Sequence, residues 1–303
     1  MEPLWNSLFL YLSRNRMLNA AAKKWGLRFG AAQIVAGTTI AHAVAKVKEL
    51  NAKGLVCTLD PLGEFVMHPQ EATDRFNTCI NTIKAIAESG VNSNLSLKLT
   101  SLGLDIDREL CRAHLQKIVE TAKQHGIFVR VDMEDSPHCQ PTLDLLRELR
   151  REYDNVGTVI QAYLFRSMQD VKELKGVPLR LVKGAYKESP EIAYQQKMQI
   201  DKNYLNLIRQ HMSSGSHTAI ATHDHRIIAA VKDLVKQHQI PRSQFEFQML
   251  YGFRTELQQA IAGEGYTMRI YVPFGRDWFG YFMRRLAERP QNAAFAFRGL
   301  FLK

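Results

Sequence analysis

The sequence predicts an α/β chain, a (β/α)8 TIM-type barrel preceded by an N-terminal helical arm, on three observations. Strand-like apolar runs and amphipathic helical segments alternate strictly after residue 50, the strand-like runs number eight, and nearly every one ends in a polar or ionisable residue. Strict alternation implies parallel strands joined by right-handed crossovers, and eight units suit closure into a barrel whose chemistry collects at the C-terminal strand ends.

Residues 1–50 are helical in pattern, with Ala-rich stretches at Ala20–Ala22 and Ala41–Leu50 and no strand-like run longer than Gln33–Val35. They read as a leading arm, and 51–303 as the barrel. The strand candidates are Leu55–Leu59, Leu95–Leu99, Ile127–Met133, Val156–Tyr163, Leu179–Val182, Thr218–Thr222, Phe245–Leu250 and Met268–Val272. Between and after them, helical periodicity covers 71–89, 107–125, 140–153, 167–175, 188–213, 225–238, 252–263 and 276–289. A doubly wound nucleotide-binding sheet is the competing fold. It calls for G-x-G-x-x-G after an early strand, whereas Gly263-Glu264-Gly265 lacks the third glycine and precedes a strand.

The strand ends carry Asp60, Lys98, Asp132 with Glu134 and Asp135, Gln161, Arg180 with Lys183, His223 with Asp224 and His225, Gln248 with Tyr251, and Tyr271. Singly each has an ordinary explanation, such as a helix cap for Asp135 or Asp224. Together they would line one rim. Arg180-Leu181-Val182-Lys183-Gly184-Ala185-Tyr186 stands out, because two cations in an apolar strand need an anionic or acceptor-rich partner to offset burial. That stretch has the character of a pocket lip for an electron-rich, negatively charged ligand.

His223-x-His225 could present two imidazoles to a metal, but no H-E-x-x-H occurs and the later strands offer Tyr251 and Tyr271, so no metal is expected. Lys98 or Lys183 would suit a Schiff-base aldolase. After the last strand, a helix carries Arg284, Arg285 and Glu288, and adjacent arginines suit bidentate capture of a carboxylate. A solvated surface helix has the same pattern.

The chain has 303 residues, 46% of them hydrophobic, which allows a sizeable core. With 40 basic against 30 acidic residues it carries +10, but the basic residues are scattered through helices, which argues against nucleic acid. Cys57, Cys79, Cys111 and Cys139 form no C-x-x-C pair, as expected of reduced thiols in a cytoplasmic protein. The apolar patch Leu4–Leu12 is too short to span a membrane and has no cleavage-site pattern.

In these residues the chain resembles the proline dehydrogenase family, in its monofunctional bacterial form. The pieces are Ser96-Leu-Lys98-Leu-Thr100, Val131-Asp132-Met133-Glu134, Gln161-Ala-Tyr163, Arg180 to Tyr186, Ala221-Thr222-His223, Gln248-Met-Leu250-Tyr251-Gly252, and Tyr271-x-Pro273-x-Gly275 followed by Arg284-Arg285-Leu286-x-Glu288. They come in family order from roughly residue 90 onward. The resemblance implies a barrel that binds FAD and oxidises L-proline to Δ1-pyrroline-5-carboxylate by hydride transfer to flavin N5. It also implies electrons passed to a membrane quinone, a separate pyrroline-5-carboxylate dehydrogenase downstream, and a cytoplasmic protein that rests at most peripherally on the inner face of the membrane.

Carried over residue by residue, the resemblance makes Lys98, Arg284 and Arg285 the carboxylate holders. Asp132 and Arg180 become the catalytic pair, and Tyr186, Leu250 and Tyr271 the apolar wall. Met133, Gln161, Lys183, Gly184, Ala185, Thr222 and His223 become cofactor contacts. Gly184 is read as letting backbone approach the cofactor closely. Lys187 and Asp224 depart from the family pattern, where Trp and Asn are frequent, and both fall toward the adenosine end of the implied flavin site. Hydroxyproline dehydrogenases share much of this scaffold, and the bulk of Tyr271 favours plain proline.

Overall fold

The computed structural model describes residues 31–288. Eight parallel strands close into a barrel in sequence order. They are β1 (Val56–Pro61), β2 (Ser93–Leu97), β3 (Val129–Val131), β4 (Val156–Gln161), β5 (Leu179–Val182), β6 (Thr218–Ala221), β7 (Phe245–Leu250) and β8 (Met268–Phe274). The predicted barrel is therefore present. β5 and β7 have the bounds read from the sequence, and the seam between β1 and β8 runs from Val56↔Arg269 to Pro61↔Phe274.

The helices are α1 (Ile40–Asn51), α2 (Pro69–Ser89), α3 (Arg108–Gln124), α4 (Ser136–Leu149), α5 (Ser167–Glu173), α6 (Lys197–Ser213), α7 (His225–Gln237), α8 (Thr255–Gly263) and α9 (Trp278–Glu288). Local chemistry accounts for several starts. Thr39 caps α1 by accepting from the His42 N–H, Asp107 caps α3 from Glu109 and Leu110, and Asp224 caps α7 from Arg226. The α6 region departs from expectation. Periodicity predicted a helix from 188, but Phe165 N–H donates to the Ile192 carbonyl and Tyr194 N–H to the Tyr163 carbonyl, with an antiparallel bridge between Leu164 and Ala193. This pairing holds the segment extended against the loop after β4, and the helix begins only at Lys197.

Side chains alternate along the strands in an unusual sense. Leu95 and Leu97, Val129 and Val131, Leu179 and Leu181, Phe245, Phe247 and Met249, and Ile270 and Val272 belong to the apolar core between sheet and helices. The residues between them, including Ser96, Arg130, Arg180, Glu246 and Gln248, are buried and polar. Barrel interiors are more often filled by branched aliphatics. Here that space holds hydrogen-bonded charge.

Two helices explain how the mouth is shaped. α1 packs against β1, β8 and α2, burying Ala43 and Val47, so residues read as part of the arm occupy the outer ring between the last strand and the first. Residues 1–30 of that arm lie outside the described range. α9, the helix after β8, instead packs with Ala31, Val35 and Leu62 through Trp278, Phe282 and Leu286. Leu62 follows β1, so α9 lies across the C-terminal mouth.

Candidate active site

The centre of the mouth is a carboxylate held by three strands. Asp132, just past β3, accepts from Arg180 Nη1 of β5 at 2.6 Å, from Ser96 Oγ of β2 at 2.7 Å and from Tyr271 OH of β8 at 2.7 Å. Arg180 is held from a second side, because its Nε donates to Gln248 Oε1 at 2.6 Å, and its guanidinium lies 5.0 Å from the Tyr271 ring centre. Nε and Nη1 are thus committed, and Nη2 is the one nitrogen of Arg180 with no hydrogen bond among the described residues. Burial alone would raise the Asp132 carboxyl, but Arg180 and Lys98, with the Tyr271 and Ser96 hydroxyls, hold it below the usual carboxylate range. Burial, with Asp132 and Asp60 beside it, pushes the Tyr271 phenol well up.

Lys98 sits among three carboxylates without a close partner. Its Nζ is 3.5 Å from Asp60 Oδ2, 3.7 Å from Asp132 Oδ2 and 3.8 Å from Glu64 Oε1. Burial works against its charge, yet Asp60, Asp132 and Glu64 outweigh it and hold the ammonium above the usual lysine range. Asp60, unlike Asp132, is raised, by burial against the pull of Lys98, and neither of its oxygens has a hydrogen bond among the described residues.

At the rim, Arg284 of α9 donates to Glu64 Oε1 at 2.9 Å. Glu64 therefore joins Arg284 to Lys98, and Asp132 joins Lys98 to Arg180, so three of the expected cations share one chain of carboxylates. Arg285, the next residue of α9, is half-buried, with its guanidinium 5.3 Å from the Tyr281 ring centre. Arg75 of α2 also pairs with Asp277 at the start of α9, which ties this helix to the barrel. Tyr186 and Leu250 are partly buried at the same end.

The residues read as cofactor contacts divide into two groups. Met133, Gln161 and Thr222 are buried at strand ends, where Gln161 Nε2 donates to the Glu134 carbonyl at 2.9 Å and Thr222 Oγ1 accepts from the Asp224 N–H at 3.1 Å. Lys183, in contrast, is tied to Asp201 Oδ1 at 2.5 Å and Asp224 Oδ2 at 3.1 Å. His223 Nε2 accepts from the Leu250 N–H at 3.4 Å, and its ring lies 5.6 Å from that of Phe253. Gly184 has φ +117°, and a Cβ there would meet Tyr163 Cδ1 at 2.3 Å. The glycine is demanded by its own backbone and by that ring. Ala185 is exposed.

Several members of the site had no specific role in the sequence. Ser96 stood only in a motif, and Gln248 and Glu134 only among the strand-end residues of the rim, although Ser96 and Gln248 both donate or accept at the centre. Glu64 lies in a loop, where no periodicity marks it. Glu134 is buried, and burial raises its carboxyl to about 7 against hydrogen bonds from the Thr100 N–H and hydroxyl. Glu246 accepts from Gln248 Nε2 at 2.6 Å and from Arg269 Nε at 2.8 Å. The alternation of charged with apolar residues along β3, β5, β7 and β8 was the available signal for these interior positions.

A family model described as proline dehydrogenase matches residues 43–298. The chain is 51% identical over 298 residues to Proline dehydrogenase 1 of Bacillus subtilis, covering 98% of this chain and 99% of that protein. It is 42% identical over 288 residues to Proline dehydrogenase of Deinococcus radiodurans, covering 93% and 92%. Among solved structures, proline utilization A (PutA) from Bdellovibrio bacteriovorus, inactivated by N-propargylglycine, superposes with a TM-score of 0.80 at 28% identity. That match covers 87% of this chain and 32% of the PutA chain.

Proposed function

The chain belongs to the proline dehydrogenase family, and from that premise we propose that it oxidises L-proline to Δ1-pyrroline-5-carboxylate at the mouth of its barrel, with FAD as cofactor. The observation that carries this reading is the convergence of Lys98, Arg180 and Arg284 on Asp132 and Glu64. Cations held by carboxylates that a substrate carboxylate could replace suit a small zwitterionic acid.

Arg284 and Arg285 would grip the carboxylate of proline, with Arg284 exchanging Glu64 for it, and Lys98 would complete the set. Two guanidinium groups and one ammonium orient the ring, so that rate comes largely from positioning. Tyr186, Leu250 and Tyr271 would cover the apolar carbons and exclude water. Tyr271 is pinned by its bond to Asp132 and its place against Arg180, which leaves little room for a ring substituent and favours proline over hydroxyproline.

The donor set fits a flavin. Arg180 keeps Nη2 unbonded while its plane is fixed from two sides, as a hydrogen-bond donor to an electron-rich ring must be. When bound, FAD supplies the hydride acceptor. Met133, Gln161, Lys183, Gly184, Ala185, Thr222 and His223 would hold it, with Asp132 fixing Arg180. A Schiff-base lyase is disfavoured, because Lys98 is held protonated by three carboxylates and Lys183 is committed to Asp201 and Asp224. Electrons would pass to a quinone and the product to a separate dehydrogenase, from a cytoplasmic protein at most peripheral to the membrane. No helix among the described residues is long and apolar enough to cross a membrane.

The purified protein should be yellow and should bleach on anaerobic addition of L-proline. A protein that releases no flavin on denaturation, or whose flavin stays oxidised with proline, would overturn the reading.

A further inference from the structure

We propose that Glu246 is a positioning residue for Arg180, acting through Gln248, and that it sets the direction in which the free Nη2 of that arginine is aimed. This rests on the reading of Arg180 as a flavin partner and extends it to a residue one layer deeper in the barrel.

The argument is one of hydrogen-bond polarity. Gln248 Nε2 faces Glu246 Oε1 at 2.6 Å, and Gln248 Oε1 faces Arg180 Nε at 2.6 Å. An ionised carboxylate can only accept and a guanidinium can only donate, so the amide between them has one workable orientation. Glu246 is held ionised: burial would raise its carboxyl, but Arg269, Gln248 and His217 bring it below its ordinary value. Arg269 Nε donates to the same Oε1 at 2.8 Å, while its Nη1 is anchored on the Cys57 carbonyl at 2.6 Å. Glu246, Gln248 and Arg180 are 4%, 3% and 5% exposed, which leaves no bulk water to stand in for a lost partner. The path Arg269, Glu246, Gln248, Arg180, Asp132 is thus an unbroken alternation of donors and acceptors across β8, β7, β5 and the end of β3.

Oε1 takes both bonds, so Glu246→Gln, which can keep an oxygen at that place, leaves the alternation standing although the charge is gone. Methionine at 246 has no such acceptor. Gln248 Nε2 then loses its partner, and nothing fixes which end of the amide meets Arg180 Nε. Removing Arg269 together with Glu246, as Glu246→Met with Arg269→Met, deletes the acceptor without stranding a buried cation and leaves the total charge unchanged.

The test compares wild type, Glu246→Gln, Gln248→Met and the double variant Glu246→Met with Arg269→Met, each loaded with FAD. It reads the flavin midpoint potential without proline, and separately kcat and KM for proline. Gln248→Met and the double variant should lower the preference for reduced over oxidised flavin about tenfold, a drop of about 30 mV for a two-electron couple. Their kcat should fall about tenfold with KM within about twofold of wild type, and Glu246→Gln should lose less than half as much of each. A folded double variant with wild-type potential, or a Glu246→Gln variant that loses as much as the double, would overturn the proposal. Should the double variant fail to fold, Gln248→Met and Glu246→Gln decide, since both keep position 246 bonded to Arg269, and equal losses in the two, or no loss in Gln248→Met, would overturn the proposal. A wild type that binds FAD without being reduced by proline would count against the substrate reading alone, because the potentials are measured in its absence.

Discussion

Arg180 Nη1 and Asp132 Oδ1 meet at 2.6 Å across the inside of the barrel, from β5 and the end of β3, two strands that are not neighbours. Strand β4 lies between them in the sheet, so the bond is a tie across the interior. Both groups are almost wholly buried. Removing one partner from such a pair typically costs about 3–5 kcal/mol, because the remaining charge stays desolvated.

Asp132→Asn should therefore lower both stability and turnover. Asp132 has a folded pKa below its unfolded value, so its stabilisation is present above the unfolded value near 4 and is lost as pH falls through the folded one. The wild type should lose melting temperature on acidification below about pH 4 to a greater degree than the variant does. Equal slopes for the two proteins in that range would show that the tie does not couple to folding. At neutral pH, kcat should drop at least about 100-fold in Asp132→Ala, by about 3 kcal/mol in the barrier.

Glu134 titrates in the opposite sense. Its carboxyl is raised to about 7 by burial, against the two donors of Thr100. Stability from this group is fully present below the unfolded value near 4.3 and is lost as pH rises through about 7. Glu134→Gln removes the titration and keeps an oxygen for Thr100, so its melting temperature should gain on the wild type between pH 5 and pH 8. A gap that stays constant over that range would contradict the shift.

The barrel was legible because eight strand-like apolar runs take turns with segments of helical periodicity along the chain, and both patterns are local properties. What decides the site is not local. Periodicity marks a helix after β8 but does not say that α9 crosses the mouth, a placement that follows from α1 occupying the ring position between β8 and β1. The late start of α6 depends on Tyr194 and Ile192 bonding to the loop after β4, thirty residues away in sequence. Arg180 and Lys183 attracted notice as charges in an apolar run, but their partners Gln248, Asp132, Asp201 and Asp224 come from other elements. Gly184 was marked by its position, and the reason for it, the Tyr163 ring, could be seen only after folding.

Arg284→Lys and Arg285→Lys separate geometry from charge at the rim. Lysine keeps the positive charge, so the pairing of position 284 with Glu64 survives in part, but the forked donor pair is lost. KM for proline should rise about tenfold or more in each, with a smaller loss in kcat, as expected of groups that grip the substrate in ground and transition states alike. KM values unchanged in both variants would remove these arginines from the carboxylate site.

Tyr271 contributes a hydroxyl and a ring, and two substitutions tell them apart. The hydroxyl donates to Asp132 Oδ2 at 2.7 Å, and the ring face lies 5.0 Å from the Arg180 guanidinium. Tyr271→Phe deletes the first and keeps the second. It removes one of three hydrogen-bond donors that hold Asp132, so kcat should fall about tenfold, in line with roughly 1.4 kcal/mol for a bond to a charged group. The preference for proline over hydroxyproline should stay as in the wild type, because the ring still occupies the wall. Tyr271→Ala also opens space beside the substrate and strips Arg180 of its aromatic partner, so turnover should drop further while the ratio of kcat/KM for hydroxyproline to that for proline increases. A Phe variant that already relaxes this ratio would place the discrimination in the hydroxyl and its bond to Asp132, and not in the bulk of the ring.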